Sequence, residues 1–156
     1  MDNFIFYSPT YFVFGKDTES QAGSLVKRFG GTKALIHYGG SSAVRSGLLD
    51  RVRASLEKEG VPYALLGGVQ PNPIDLSVYE GISAGREHGS DFVLAVGGGS
   101  VIDAAKAMAA GLCYDGNFWD FYEGTRTIEQ ALPIGVVLTI PAAGSEGSGN
   151  SVITQV

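Results

Sequence analysis

Cysteine is nearly missing: Cys113 is the single one in 156 residues, so no internal disulfide can form. Basic residues are few as well, 11 against 16 Asp and Glu, which leaves a formal charge of −5 and an isoelectric point of about 4.9. Without a concentrated positive face, neither nucleic acid nor an anionic membrane surface is expected as a partner. The two histidines, His37 and His88, stand on different elements, and no His-x-x-x-His or paired cysteine occurs, so no metal site with three or four protein ligands can be built. No apolar run of about 20 residues and no charged-then-apolar leader is found. These absences lead to the expectation of a soluble protein of a reducing cytoplasm. Glycine, by contrast, is abundant at 23 residues, roughly twice ordinary usage, and the excess has to be placed.

Apolar residues at 44% suffice for a core, and the length suits one domain over residues 1–156. Phe4-Ile5-Phe6-Tyr7 and Tyr11-Phe12-Val13-Phe14, around Ser8-Pro9, predict a β-hairpin arm. Thr18-x-x-Gln21 has capping-box spacing ahead of Ala22, Leu25, Val26 and Phe29, and Gly30-Gly31 ends that helix. From Lys33 onward, apolar runs alternate with helical patterns. Ala34–Tyr38, Tyr63–Leu66, Phe92–Val96 and Ile134–Ile140 read as strands. Val44, Leu48, Leu49, Val52 and Leu56 mark one helix face, Ile74, Val78 and Ile82 a second, and Val101, Ala104, Ala105, Met108 and Leu112 a third. Strands without alternation are covered on both faces, so the order implies an α/β, Rossmann-like parallel sheet flanked by helices. Residues 113–132 form a long connection carrying Trp119, Phe121 and Tyr122.

Gly97-Gly98-Gly99-Ser100-Val101-Ile102-Asp103 lies where a buried strand ends and a helix begins. Glycines there remove the Cβ atoms that keep a phosphate from the backbone, and a helix start offers unpaired N–H groups, so a pyrophosphate fits. A tight turn needing positive φ would call for one glycine, not three. Asp103 in the first helical turns also suits the helix dipole without any ligand. The G-x-G-x-x-G fingerprint is not met, because position 102 is Ile. Gly39-Gly40-Ser41-Ser42 follows the first parallel strand with no acid in residues 37–46 and with Arg45 nearby. That suits a 2′-phosphate, and equally a plain turn with Ser as the helix cap. Thr139-Ile140-Pro141-Ala142-Ala143-Gly144-Ser145 passes from a strand into small polar residues, either a donor-rich site or a flexible loop. Pro71-Asn72-Pro73 reads as a rigid turn with Asn72 as a cap. Cys113, Ser100 and Ser145 lack a neighbouring base or a nucleophile elbow, and Asp115, Asp120 and Glu123 read as a solvated loop.

Taken in order, Pro71-Asn72-Pro73, the Gly97–Asp103 motif with Ala104-Ala105-Lys106, Trp119-Asp120-Phe121, and Thr139-Ile140-Pro141 with Gly144-Ser145-Glu146 resemble the iron-containing alcohol dehydrogenases. The butanol dehydrogenase branch is the most similar. The resemblance implies an N-terminal NAD(P)-binding domain, with a helical domain that holds iron or zinc through an Asp and three His absent from this chain. It implies cofactor contacts at Gly97, Gly98, Gly99, Ser100 and Asp103, Asn72 on the adenosine side, and Thr139 and Ser145 near the cofactor. It also makes Gly39, Gly40 and Ser41 the NADP-preferring variant of a turn where NAD-preferring members carry Asp, with NAD as the other cofactor admitted. Ala143 replaces a usual Thr, and Gly147-Ser148-Gly149 is richer in glycine than the usual continuation. Members run to about twice this length or more. The expectation is therefore the nucleotide-binding domain of an NADPH-preferring oxidoreductase of small alcohols or aldehydes, inactive alone, with the catalytic and metal residues elsewhere, and a homodimer or higher oligomer through its N-terminal strands. The alternatives are a stand-alone nucleotide-binding or scaffolding module, and a polyol dehydrogenase or lyase relative sharing the domain.

Overall fold

The computed structural model describes residues 3–156. Four strands, β1 (Ala34–Tyr38), β2 (Tyr63–Leu66), β3 (Phe92–Gly97) and β4 (Ile134–Leu138), form one parallel sheet in the order β2-β1-β3-β4. The register pairs Ile36 with both Leu65 and Leu94, and Ala95 with Val136. Parallel neighbours require crossovers, and helices supply them. Helices α1 (Ala22–Arg28), α2 (Ser41–Arg45) and α3 (Leu48–Lys58) cover one face, where Ile36, Leu94 and Val96 pack with Val26, Ala43, Val52 and Leu56. Helices α4 (Asp75–His88) and α5 (Gly99–Leu112) cover the other, where Leu35 meets Val78, Ile82 and Met108, and Val93 and Ala95 meet Ile102 and Ala105. Every residue of β3 is buried, as a strand covered on both sides must be. The chain direction reverses its placement order between β1 and β3, so the crevice beyond their carboxyl ends is the topological switch point where α/β sheets bind ligands.

The α/β architecture matches the expectation, and several local readings are corrected. No strand and no hairpin form in residues 3–14, and Phe4, Ile5, Phe6, Phe12 and Phe14 are exposed. Isolated two-stranded ribbons are marginal, and Pro9 removes a ladder donor. The capping box does not form either. The Thr18 hydroxyl donates to the Gly15 carbonyl, and Thr18–Gln21 is a 3₁₀ turn leading into α1. The helix expected across Val44–Leu56 is two helices, broken where Gly47 takes φ 71° in the left-handed region. Within the 113–132 connection a short helix, α6 (Asp120–Glu123), stacks Trp119 on Tyr122 with ring centroids 5.0 Å apart, against buried Phe118. β4 stops at Leu138 rather than Ile140, and Thr154 makes one isolated parallel bridge to Ile74.

Candidate functional site

At the switch point, Gly40, Val69, Gln70, Pro71 and Gly98–Val101 line a groove of about 370 Å³. The fold thus brings together the two glycine turns and the Pro71 turn, which lie far apart in sequence. The Gly39 N–H donates to the Val96 carbonyl at 3.3 Å, and the Thr139 N–H donates to the Gly97 carbonyl at 3.1 Å. These bonds fix the ends of β1 and β4 to β3, so the expected residues Gly39, Gly40, Ser41, Gly97, Gly98, Gly99, Ser100 and Thr139 follow one edge of the sheet.

The glycines at this edge differ in what holds them. None of Gly39, Gly40, Gly97, Gly98 or Gly99 has positive φ, so backbone conformation does not call for glycine at any of them. A Cβ on Gly97 would meet Val101 Cγ2 at 2.5 Å, a packing reason. A Cβ on Gly40, Gly98 or Gly99 would meet nothing within 4 Å. At those three positions the backbone is bare toward open space and forms an open cradle. No side chain caps the start of α5, so its first N–H groups and the positive end of its dipole stay available for an anion.

Two caps expected from the sequence are not made. The N-cap of α2 is Gly40, and no side chain bonds there, so Ser41 and Ser42 are not used as caps. The N-cap of α4 is Ile74, so Asn72 is not a cap either; it sits with φ 59° in the left-handed region, which asparagine tolerates. The alternative of a flexible loop after β4 is answered by hydrogen bonds. The Ser145 hydroxyl donates to Asp103 Oδ1 at 2.6 Å, the Val152 N–H donates to Asp103 Oδ2 at 3.1 Å, and Lys106 Nζ donates to Ser145 Oγ at 2.9 Å and to the Asn150 carbonyl at 2.7 Å. Burial pulls the Lys106 pKa down, against the opposing pull of Asp103 and Glu146. Asp103 and Ser145 are therefore bonded to each other. Lys106 was not among the expected site residues; its spacing of three from Asp103 on one helix was the available signal.

His37 was also missed as a residue of interest. It is fully buried on β1, and its Nδ1–H donates to the Leu66 carbonyl at 3.1 Å, which leaves Nε2 as an acceptor without a partner. Desolvation drives its pKa down to about 4, so the ring is neutral. A larger cavity of about 840 Å³ runs between arm residues 9–15, α1 and β4. Its lining is mainly apolar and contains neither glycine turn. Among the described residues no three His, Cys, Asp or Glu side chains converge as a metal site, and no helix is long and apolar enough to cross a membrane.

A parallel sheet with a bare-glycine cradle at its switch point defines a nucleotide-binding α/β domain. The family model for "Iron-containing alcohol dehydrogenase" matches residues 9–156, and the chain belongs to that family. It is 50% identical over 155 residues to a probable NADH-dependent butanol dehydrogenase 2 of Bacillus subtilis, covering 99% of this chain and 40% of that protein. It is 38% identical over 158 residues to the NADPH-dependent aldehyde reductase YqhD of Escherichia coli, with the same coverage. The crystal structure of an NADH-dependent butanol dehydrogenase A from Thermotoga maritima superimposes with a TM-score of 0.97 at 46% identity, over 99% of this chain and 39% of that one. The chain thus spans about 40% of the length of the curated relatives it matches.

Proposed function

We propose that this chain is the dinucleotide-binding part of an NADPH-preferring, metal-dependent alcohol or aldehyde oxidoreductase. The observation that carries the reading is the set of three glycines, Gly40, Gly98 and Gly99, with ordinary φ and open space where a Cβ would stand. Gly98, Gly99 and Ser100 hold the pyrophosphate through backbone N–H groups at the start of α5. Gly39, Gly40 and Ser41 receive the adenosine ribose and its 2′-phosphate, with Asn72 on the same side. Since β4 lies beyond β3 in the sheet, the nicotinamide half extends toward Thr139. Asp103 and Ser145 enter the site through the bond between them. The bound nicotinamide supplies hydride chemistry, while this chain binds and orients it. Iron or zinc would be held outside these residues, so the chain alone is inactive toward alcohols and aldehydes. The preference for NADPH rests on the absence of a carboxylate after β1, although the Bacillus relative is described as NADH-dependent. The reading extends to a cytoplasmic setting and to a homodimer or higher oligomer, supported by the exposed aromatic arm.

The test is Gly98→Val. Calorimetry should show NADPH binding weakened by about a hundredfold or more, because the isopropyl group fills the phosphate's place, with the thermal midpoint within about 2 °C of the parent. A folded variant that binds like the parent would remove the pyrophosphate from this turn.

A further inference from the structure

Segment 144–152 has little structure of its own, one 3₁₀ turn at Ser145–Gly147, yet it is fastened to α5 by a dense set of bonds. Asp103 and Lys106 stand one turn apart on the same face of α5. Between them they take the Ser145 hydroxyl, the Val152 N–H and the Asn150 carbonyl. The Ser151 hydroxyl adds a bond to the Asp103 carbonyl at 2.8 Å and pairs with the Tyr122 hydroxyl at 2.7 Å. Both carboxylate oxygens of Asp103 are thus engaged within the protein, and Ser145 is buried at 8% exposure. A carboxylate facing a pyrophosphate would meet like charge, whereas one facing a serine hydroxyl, a backbone N–H and a lysine two bonds away is well matched.

We propose that Asp103, Ser145 and Lys106 are positioning residues, a latch that clamps segment 144–152 onto α5 and so shapes the β4 side of the dinucleotide crevice without touching the ligand. The inference rests on the reading of that crevice as a dinucleotide site. The latch acts downstream of the cradle: the pyrophosphate turn is the amino end of α5, and the clamped segment follows the end of β4. It therefore governs the nicotinamide half of the ligand and leaves the adenosine half alone.

The experiment compares the parent chain with Asp103→Asn, Ser145→Ala, Lys106→Met and the Asp103→Asn/Ser145→Ala double variant. Amide exchange is read at Val152 and along α5, and affinities are measured for NADPH and for adenosine 2′,5′-bisphosphate, which lacks the nicotinamide half. In Asp103→Asn the Val152 amide should exchange about tenfold faster or more and NADPH should bind about tenfold more weakly, as expected for loss of a charge-assisted bond, while the bisphosphate stays within about twofold. The double variant should bind no worse than Asp103→Asn alone, since both changes open one latch. Weakened NADPH binding with a still-protected Val152 amide would mean direct contact and overturn the proposal. So would a loosened segment with parent-like NADPH affinity, or equal weakening of both ligands. If Asp103→Asn does not fold, Ser145→Ala and Lys106→Met are held to the same outcomes. A parent chain that binds neither ligand sinks the dinucleotide reading, and with it the functional half of the latch; the Val152 exchange still decides the clamp itself.

Discussion

Gly23 and Gly98 stand at the starts of two helices, and they answer to opposite constraints. A Cβ on Gly23, in α1, would run into the Ser55 backbone of α3, with the carbonyl carbon at 2.8 Å and the oxygen closer still. The backbone is held at that close approach, because the Gly23 N–H donates to the Ser55 hydroxyl at 3.0 Å, and that hydroxyl donates in turn to the Ser20 carbonyl at 2.7 Å. A Cβ on Gly98 meets nothing within 4 Å. One glycine lets two helices of the protein approach, and the other faces open space, which the proposed reading gives to a phosphate. The residue type is the same; the neighbour across from it decides the use.

The sharpest way to break this contrast is the smallest side chain. Gly23→Ala adds helix propensity worth up to about 1 kcal/mol, which by itself would stabilise α1. The clash is with backbone, which cannot rotate away, so overpacking wins and the variant should lose about 3 kcal/mol in a denaturant titration. Gly98→Ala should leave the midpoint unchanged. If both alanines were equally tolerated, packing and ligand space could not be separated by glycine geometry.

A second prediction separates the packed interior from the crevice by pH. His37 is buried in β1, and its folded pKa of about 4 lies below the ordinary 6.5. Above pH 6.5 the ring is neutral in both folded and unfolded chains, and its contribution is complete. As pH falls from 6.5 toward 4 the unfolded chain takes up the proton first, so stability is lost across that window, about 3 kcal/mol in all. His37→Leu should remove this slope from the pH dependence of urea midpoints. An unchanged slope in the leucine variant would assign the acid sensitivity to other groups.

How much of this was legible beforehand follows the same division. The strands were readable because β1 and β3 are continuous apolar runs, and the glycine turn was readable because it falls at the end of one. The order of strands across the sheet, which turns two distant glycine motifs into one groove, is a property of tertiary pairing and is not written locally. Local signals misled where tertiary context overruled them. The capping-box spacing at Thr18 was spent on a hydroxyl bond to Gly15, and the single helix face from Val44 to Leu56 concealed the turn at Gly47. The arm had strand composition but no strand partner among the described residues, and β propensity without a partner makes no ladder. Lys106 showed locally as the tail of a motif, three residues from Asp103; its bonds run to Ser145 and Asn150, some 40 residues away.

The smallest effect tests the crevice against itself, at its adenosine end. A Cβ on Gly39 would touch Val101 Cγ2 at 3.4 Å, an ordinary contact, so Gly39→Asp should fold like the parent. Its carboxylate would stand at the end of β1, beside Gly40 and Ser41, where the proposed 2′-phosphate lies. Like charges there should weaken NADPH by about tenfold relative to NADH, near 1.4 kcal/mol, and the ribose 2′-hydroxyl of NADH would gain an acceptor. A competition titration of the two cofactors on parent and variant reads the ratio directly. A ratio that does not move would take Gly39 out of cofactor discrimination, and a parent that already favours NADH, as the Bacillus relative's description has it, would overturn the NADPH preference while leaving the pyrophosphate cradle at Gly98 and Gly99 intact.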